Sequence, residues 1–319
     1  MNQNSDKQRV FLTGGGGMVG RNLLRSDGAK KFEIFAPLRA EVDLRDYDAV
    51  LAQMRRFKPD VVIHTAGLVG GIMANMKDPL SYLVENLDIG RNVVLAAREA
   101  GVPRLINLGS SCMYPRNIEV PLREDMLLTG ELEPTNEGYA LAKITVARMC
   151  KYLSEQDSGF NYKTLIPCNL YGPFDKFDPA RSHLIPAIIA KVHKAKTNNS
   201  STVEIWGDGS ALREFMYAGD LINFIWHGLR KFETLPNVIN VGPGKDNSIF
   251  EYYQSVANVL GWQGEFTFNL DRPVGMKQKV VSTALLDKTG WKTSQSLDEG
   301  IEKTYQYFLE NIDEWQLDE

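Results

Sequence analysis

The sequence is poor in cysteine and histidine. Of its 319 residues, three are cysteines (Cys112, Cys150 and Cys168) and four are histidines. An odd cysteine count without paired spacing argues against a disulfide framework and against a zinc site, so no metal is expected. An excess of positive charge is also missing. Thirty-six Lys and Arg stand against 40 Asp and Glu, a formal charge of −4. Nucleic-acid partners favour a basic surface, so this balance disfavours them. No stretch approaches the roughly 20 apolar residues that span a bilayer. The opening Met1-Asn2-Gln3-Asn4-Ser5-Asp6-Lys7 lacks the apolar run of a secretory signal. A cytoplasmic protein is the expectation. The sequence holds neither internal repeats nor low-complexity tracts.

What is present is a rhythm. Hydrophobic residues make up 43% and charged residues 24%, enough for an ordinary packed core. Short apolar runs at 9–13, 32–36, 61–66 and 104–108 alternate with helical patterns such as 47–57 and 79–100. Buried parallel strands read as continuous apolar runs, and the helices between them supply the crossovers. The fold class predicted is α/β, a Rossmann-type doubly wound parallel sheet with a smaller C-terminal α/β part. After Asn169 the rhythm changes. Residues 171–182 are rich in Pro, Asp and aromatics and read as an ordered loop. A helix at 185–196 and a strand at 203–206 follow, and the apolar pieces 220–229 and 238–241 could return to the first sheet. The expected division is discontinuous, with residues 1–170 plus 219–245 for a dinucleotide and 171–218 plus 246–319 for substrate.

In Thr13-Gly14-Gly15-Gly16-Gly17-Met18-Val19-Gly20, which follows the first strand and opens a helix, Gly14, Gly17 and Gly20 recur every third residue. Missing side chains let backbone approach a pyrophosphate, and the helix N-terminus meets its charge. The second strand ends in Ala36-Pro37-Leu38-Arg39, with no carboxylate where a ribose diol would be held. Arg39 suits a 2′-phosphate, as in NADP(H), while Glu41 and Asp43 just behind keep NAD open. Asp43-Leu44 and Ala66-Gly67 are expected to line the adenine and ribose sides.

Tyr139 and Lys143 stand four apart, on one face of a helix. An ammonium nearby would lower the tyrosine pKa and make it a usable acid or base. Ser110 lies 29 residues earlier, at the end of the fourth strand, where such sheets bind ligands. Taken alone, Cys150 and Cys168 read as core, His64 as a cofactor-pocket or structural residue, and His193 and His227 as ordinary.

The chain resembles the extended short-chain dehydrogenase/reductases and, within them, the GDP-L-fucose synthase family. The likeness runs from Arg9 to about Asn311. Its most specific stretches are Gly109-Ser110-Ser111-Cys112-Met113-Tyr114-Pro115, Leu132-Glu133-Pro134-Thr135-Asn136-Glu137, Asn169-Leu170-Tyr171-Gly172-Pro173, Ser182-His183-Leu184-Ile185-Pro186 and Arg213-Glu214-Phe215. The resemblance implies a bifunctional epimerase/reductase that uses NADP(H) on a GDP-linked 4-keto-sugar and pairs as a homodimer through helices 79–100 and 139–154. It implies that Ser110, Tyr139 and Lys143 carry the reduction, and Cys112 and His183 the epimerisation. Tyr139, Lys143 and His183 would also touch the cofactor. Ser110, Ser111, Cys112, Asn169, Lys191, Trp206 and Arg213 would hold the nucleotide-sugar. Departures from the pattern are Gly15 and Gly16 where basic residues are usual, Pro37 near a usual Arg, and Lys191 for Arg. A C5-only epimerase making GDP-L-colitose, a 6-deoxy-heptose enzyme and a UDP-sugar 4-epimerase remain alternatives. The lack of a carboxylate at Ser111 and Cys112 argues against a 4,6-dehydratase.

Overall fold

The computed structural model describes residues 7–178, 182–271 and 277–315. Its strands, in chain order, are β1 Arg9–Thr13, β2 Glu33–Phe35, β3 Val61–His64, β4 Arg104–Leu108, β5 Asn161–Pro167, β6 Asn169–Tyr171, β7 Thr202–Trp206, β8 Leu212–Arg213, β9 Phe215–Tyr217, β10 Val238–Val241, β11 Asn247–Ser248, β12 Glu265–Asn269 and β13 Gln278–Lys279. The α-helices are α1 Met18–Arg25, α2 Tyr47–Phe57, α3 Ile72–Lys77, α4 Pro79–Glu99, α5 Glu137–Gln156, α6 Leu184–Thr197, α7 Ala218–Arg230, α8 Ile249–Leu260, α9 Ala284–Asp287 and α10 Leu297–Glu310.

Six strands form a parallel sheet in the order β10-β5-β4-β3-β1-β2. The doubly wound sheet read from the apolar rhythm is therefore present. The strands explain themselves: β3 is buried along its whole length, as a strand covered on both faces must be. Chain order reverses between β1 and β3. That switch point leaves a crevice at the carboxyl ends of these two strands.

Helix starts follow local chemistry. Asp78 accepts from Ser81 N at 3.2 Å, with Pro79 in the first turn of α4. Ser248 with Glu251 and Ser296 with Glu299 form reciprocal capping boxes for α8 and α10. Gly261 closes α8 in the left-handed conformation, φ 67°.

Beyond β5 the chain builds smaller sheets. The pair β6–β9 was not anticipated, because Asn169-Leu170-Tyr171 is too short to show a period. The 220–229 segment is part of helix α7, which packs on α1, and 238–241 is the edge strand β10. Residues 179–181 of the expected 171–182 loop lie outside the described residues. A separate apolar cluster joins α6, β7, α8 and α10 through Ile188, Ile205, Val256 and Phe308. Leu286 and Trp291, late in the chain, pack into the first lobe's core instead. Asp220, buried in the first turn of α7, accepts from Ser294 N and Oγ and from Gln295 N, tying α7 to the approach of α10. Among the described residues no helix is long and apolar enough to cross a membrane.

Candidate active site

The glycine loop occupies the switch point. Gly14 sits at φ 74°, and a Cβ there would lie 2.7 Å from Ala66 N. A Cβ on Gly20 would lie 2.2 Å from the Gly14 carbonyl. Both positions admit only glycine without movement. On the outer side, a Cβ on Gly16 would meet nothing within 4 Å. Gly17 precedes Met18 and Val19 as the N-cap of α1 and provides no side-chain cap. The first amides of α1 are thus left for an anion, beside a loop with no side chains on its open face. A dinucleotide pyrophosphate fits this cradle.

Underneath runs a buried polar row. Thr13, His64, Asn107 and Thr164 are register partners across β1, β3, β4 and β5, and each is at most 2% exposed. His64 Nδ1 lies 2.7 Å from Thr13 Oγ1, which also accepts from Ala66 N at 3.3 Å. Burial holds the His64 imidazole down to about 3, with Lys143 adding to the effect, so it is neutral at physiological pH. Gly67 then carries the chain past Lys143, where a Cβ would sit 3.5 Å from Nζ. One short loop therefore touches both the glycine cradle and the lysine of the expected triad.

Past β2, Arg39 is exposed. The two acids behind it are occupied. Glu41 accepts from Leu38 N at 2.7 Å. Asp43 takes a forked contact from Arg45, at 3.1 and 2.7 Å, and that guanidinium holds its carboxyl at about 2. Leu44 is half-buried against the α2 side of the core.

Ser110 caps a short turn at Ser111–Met113, accepting from Cys112 N at 3.2 Å. Its hydroxyl also stands near the Tyr139 phenol, close enough to favour the phenolate. Tyr139 and Lys143 share a face of α5, with Nζ 5.8 Å from the tyrosine ring centroid. Lys143 is 6% exposed and donates to Leu108 O at 3.1 Å. The expected lowering of the tyrosine by its lysine is not what the geometry produces. Burial pushes Tyr139 up, Cys112 adds to this, and only the Ser110 hydroxyl opposes it. Burial also pulls Lys143 down to about 8. Both groups lose water here, and desolvation outweighs their mutual attraction at this separation.

Cys112 is half-buried, and its sulfur faces two donors: Asn136 Nδ2 at 3.3 Å and Lys279 Nζ at 3.8 Å. Ser111 is buried. Cys150 and Cys168 are buried, and burial pushes both thiols up. His183 is the N-cap of α6, its Nδ1 3.6 Å from the buried carboxylate of Asp175. The Ser182 carbonyl approaches Gly71, so this segment lies beside the loop that follows β3.

The expected sugar-binding residues fall into two groups. Lys191 on α6 donates to the Glu204 carbonyl, two residues before Trp206 at the end of β7, and Trp206 is 52% exposed. Asn169 donates to the Glu214 carbonyl at 2.9 Å, beside Arg213. Arg213 and Glu214 are not built as a pair. The Glu214 carboxylate is buried and accepts from Gly244 N at 2.7 Å and Val281 N at 2.8 Å. Burial raises its carboxyl to about 7. Arg213 instead stands in register with Lys279 across β8 and β13. Lys279 and Asp175 escaped the sequence reading, and Asn136, within the stretch 132–137, carried no role there, because their partners are distant in the chain or lie within an irregular loop. Among the described residues no His, Cys, Asp and Glu cluster could hold a metal.

With this geometry in view, the relatives are informative. Residues 10–242 match the NAD dependent epimerase/dehydratase family. The chain is similar to a GDP-L-fucose synthase of Azorhizobium caulinodans, 51% identical over 302 residues, covering 95% of this chain and 96% of that one. It is similar also to a GDP-L-colitose synthase of Yersinia pseudotuberculosis, 50% identical over 301 residues, covering 94% and 98%. The chain belongs to the GDP-L-fucose synthase family. Among solved structures, a GDP-D-glycero-L-gluco-heptose synthase from Campylobacter jejuni, determined in the presence of NADPH, has a TM-score of 0.88 at 29% identity, covering 95% of this chain and 98% of that one.

Proposed function

We propose that this chain is an NADP(H)-dependent epimerase/reductase that converts a GDP-4-keto-6-deoxy-mannose-type sugar to GDP-L-fucose. The observation that carries this reading is the joining of two chemistries at one turn: Ser110 stands beside Tyr139, and Cys112, two residues on, has its own donors in Asn136 and Lys279. Relatives named for this activity, together with a structural neighbour determined with NADPH, support it.

The residues work as follows. A 4-ketone acidifies the C–H bonds at C3 and C5. Cys112 and His183, on separate elements, exchange these protons: one removes a proton to leave an enolate, and the other returns one on the opposite face. Thiol and imidazole are chemically suited to this near neutral pH. The hydroxyls of Ser110 and Tyr139 stabilise the enolate oxygen. When bound, NADPH supplies the hydride for C4. Tyr139 gives its phenolic proton to the C4 oxygen, completing the alcohol. The Gly14, Gly17 and Gly20 loop with Met18 and Val19 would hold the pyrophosphate, and Ala66, Gly67 and Leu44 the adenosine side. Arg39 would take the 2′-phosphate, since Glu41 and Asp43 are engaged elsewhere. Arg213 and Lys279, register partners across β8 and β13, would offer two basic side chains to the GDP diphosphate. Asn169, Lys191 and Trp206 complete the sugar-nucleotide site.

The 50% identity to a GDP-L-colitose synthase favours one alternative, the same chemistry with inversion at C5 alone on a dideoxy sugar. Incubating the purified protein with NADPH and each GDP-keto-sugar, then assigning product stereochemistry by NMR, decides between them. No turnover of either sugar would sink both. In the same assay Cys112→Ser should lose epimerisation far more than reduction. Equal loss of both would count against separate roles.

Three further readings complete the proposal. The protein is cytoplasmic. It divides at residues 1–170 plus 219–245 and 171–218 plus 246–319, with Leu286 and Trp291 reaching back into the first core. It forms a homodimer through α4 and α5, which expose Leu80, Val84 and Leu141 on adjacent helices.

A further inference from the structure

Asp175 stands out among the buried polar residues. It is 4% exposed, and Oδ1 accepts from Lys176 N at 2.8 Å. Its Oδ2 is buried without a hydrogen-bond partner among the described residues. A buried carboxylate left in that condition costs several kcal/mol, so about this much must be returned by some cation. The salt-bridge partner it has is the imidazole of His183, Nδ1 to Oδ1 at 3.6 Å. His183 Nδ1 is itself buried without a hydrogen-bond partner among the described residues.

His183 has the converse difficulty. As the N-cap of α6 it lies at the positive end of a 14-residue helix, which disfavours an imidazolium. Burial and the adjacent Lys176 disfavour it too. Asp175 overrides all three, so the imidazole is held above its ordinary range, with the facing Asp175 carboxylate as the largest cause. Each residue alone is badly placed, and together they compensate. The 3.6 Å separation is long for a hydrogen bond, and a shift of a few tenths of an ångström closes it. Catalytic contacts are commonly loose before substrate is bound.

We propose that Asp175 is the positioning residue of His183: its carboxylate accepts a hydrogen bond from Nδ1–H, fixing the tautomer and leaving Nε2 as the nitrogen that exchanges a proton with the sugar carbon. The step is balanced within the pair. When His183 accepts a carbon-bound proton at Nε2 it becomes a cation facing a carboxylate, and when it gives that proton back it returns to the same neutral tautomer. Asp175 keeps its charge throughout. This deepens the reading of His183 as an epimerisation acid–base and rests on it.

The pair can be followed without substrate. With only four histidines in the chain, imidazole NMR resonances of the intact protein are tractable, and the spectrum of His183→Gln identifies the one in question. Asp175→Asn should lower the His183 titration midpoint by about one unit, a tenfold loss of proton affinity. An unchanged midpoint overturns the proposal. In heavy water, Asp175→Asn should slow solvent-deuterium entry at the sugar carbon by about tenfold to a hundredfold, part of what a general acid–base supplies. KM should stay within about a factor of two. A purely structural role would instead raise KM or lower the melting temperature while the midpoint stayed fixed. If Asp175→Asn does not fold, Asp175→Glu keeps the charge on a longer arm. Its midpoint should remain above the ordinary histidine value, and a fall to that value overturns the pairing. If His183→Gln leaves deuterium entry intact, it is the role of His183 that fails, while the titration still reports on the pair.

Discussion

The imidazole of His64 and the hydroxyl of Thr13 are joined at 2.7 Å, linking β3 to β1 directly beneath the glycine loop. The folded protein keeps His64 neutral, near 3, against an ordinary value of 6.5. Between these values the unfolded chain binds a proton that the folded chain refuses, so stability falls as pH drops from 6.5 towards 3. The wild type should lose up to about 1.4 kcal/mol per pH unit more than His64→Asn over this window, read from urea unfolding at stepped pH. Parallel slopes would exclude His64 as the source.

The two faces of the glycine loop should respond differently to one added methyl group. In Gly20→Ala the new Cβ meets the Gly14 carbonyl at 2.2 Å, so the loop must shift. Its melting temperature should drop, and NADPH affinity should fall at least about tenfold, as loss of the close backbone approach requires. Gly16→Ala meets nothing in the protein and should melt like the wild type, while still weakening NADPH. Calorimetric titration with thermal melts separates the two cases.

Reduction should weaken in alkali. Lys143 loses its proton near 8, so the ammonium beside Tyr139 disappears as pH rises through that value. The kcat/KM profile for NADPH oxidation should fall above about pH 8. Lys143→Arg stays charged and should flatten that limb at a lower plateau. Tyr139→Phe should reduce the rate by about 10²- to 10⁴-fold at every pH, having lost the donated proton.

The α4 and α5 surface offers a test of assembly. Leu80 and Val84, 69% and 44% exposed, lie one turn apart on α4. Converting both to Glu should halve the sedimenting mass without lowering the monomer's helix content. An unchanged mass would remove this face as the interface.

What the sequence disclosed, and what it hid, follows from the range of the forces involved. The strands, the glycine spacing and the Tyr139–Lys143 face are local periodicities, and each reappears in the folded chain. Lys279 meets Cys112 across 167 positions, and no local pattern encodes that contact. Asp175 sits in a loop with no period to read. The tyrosine–lysine argument considered charge but not burial, and burial decides the direction at both groups. Arg213 and Glu214 look like an ion pair when written side by side. Consecutive residues of an extended chain point to opposite sides, so the Glu214 carboxylate turns to backbone amides while Arg213, in register with Lys279, lies on the other face.

That last arrangement has a thermodynamic corollary. Val281, two residues past Lys279, is clamped by Glu214 and by a bridge to Leu122, so the Lys279 backbone cannot drift away from Arg213. A diphosphate entering beside these pinned strands would meet two basic residues on a backbone that is already fixed. Nucleotide alone, without its sugar, should therefore bind and stiffen this lobe, and added salt should blunt the effect by screening the same two charges.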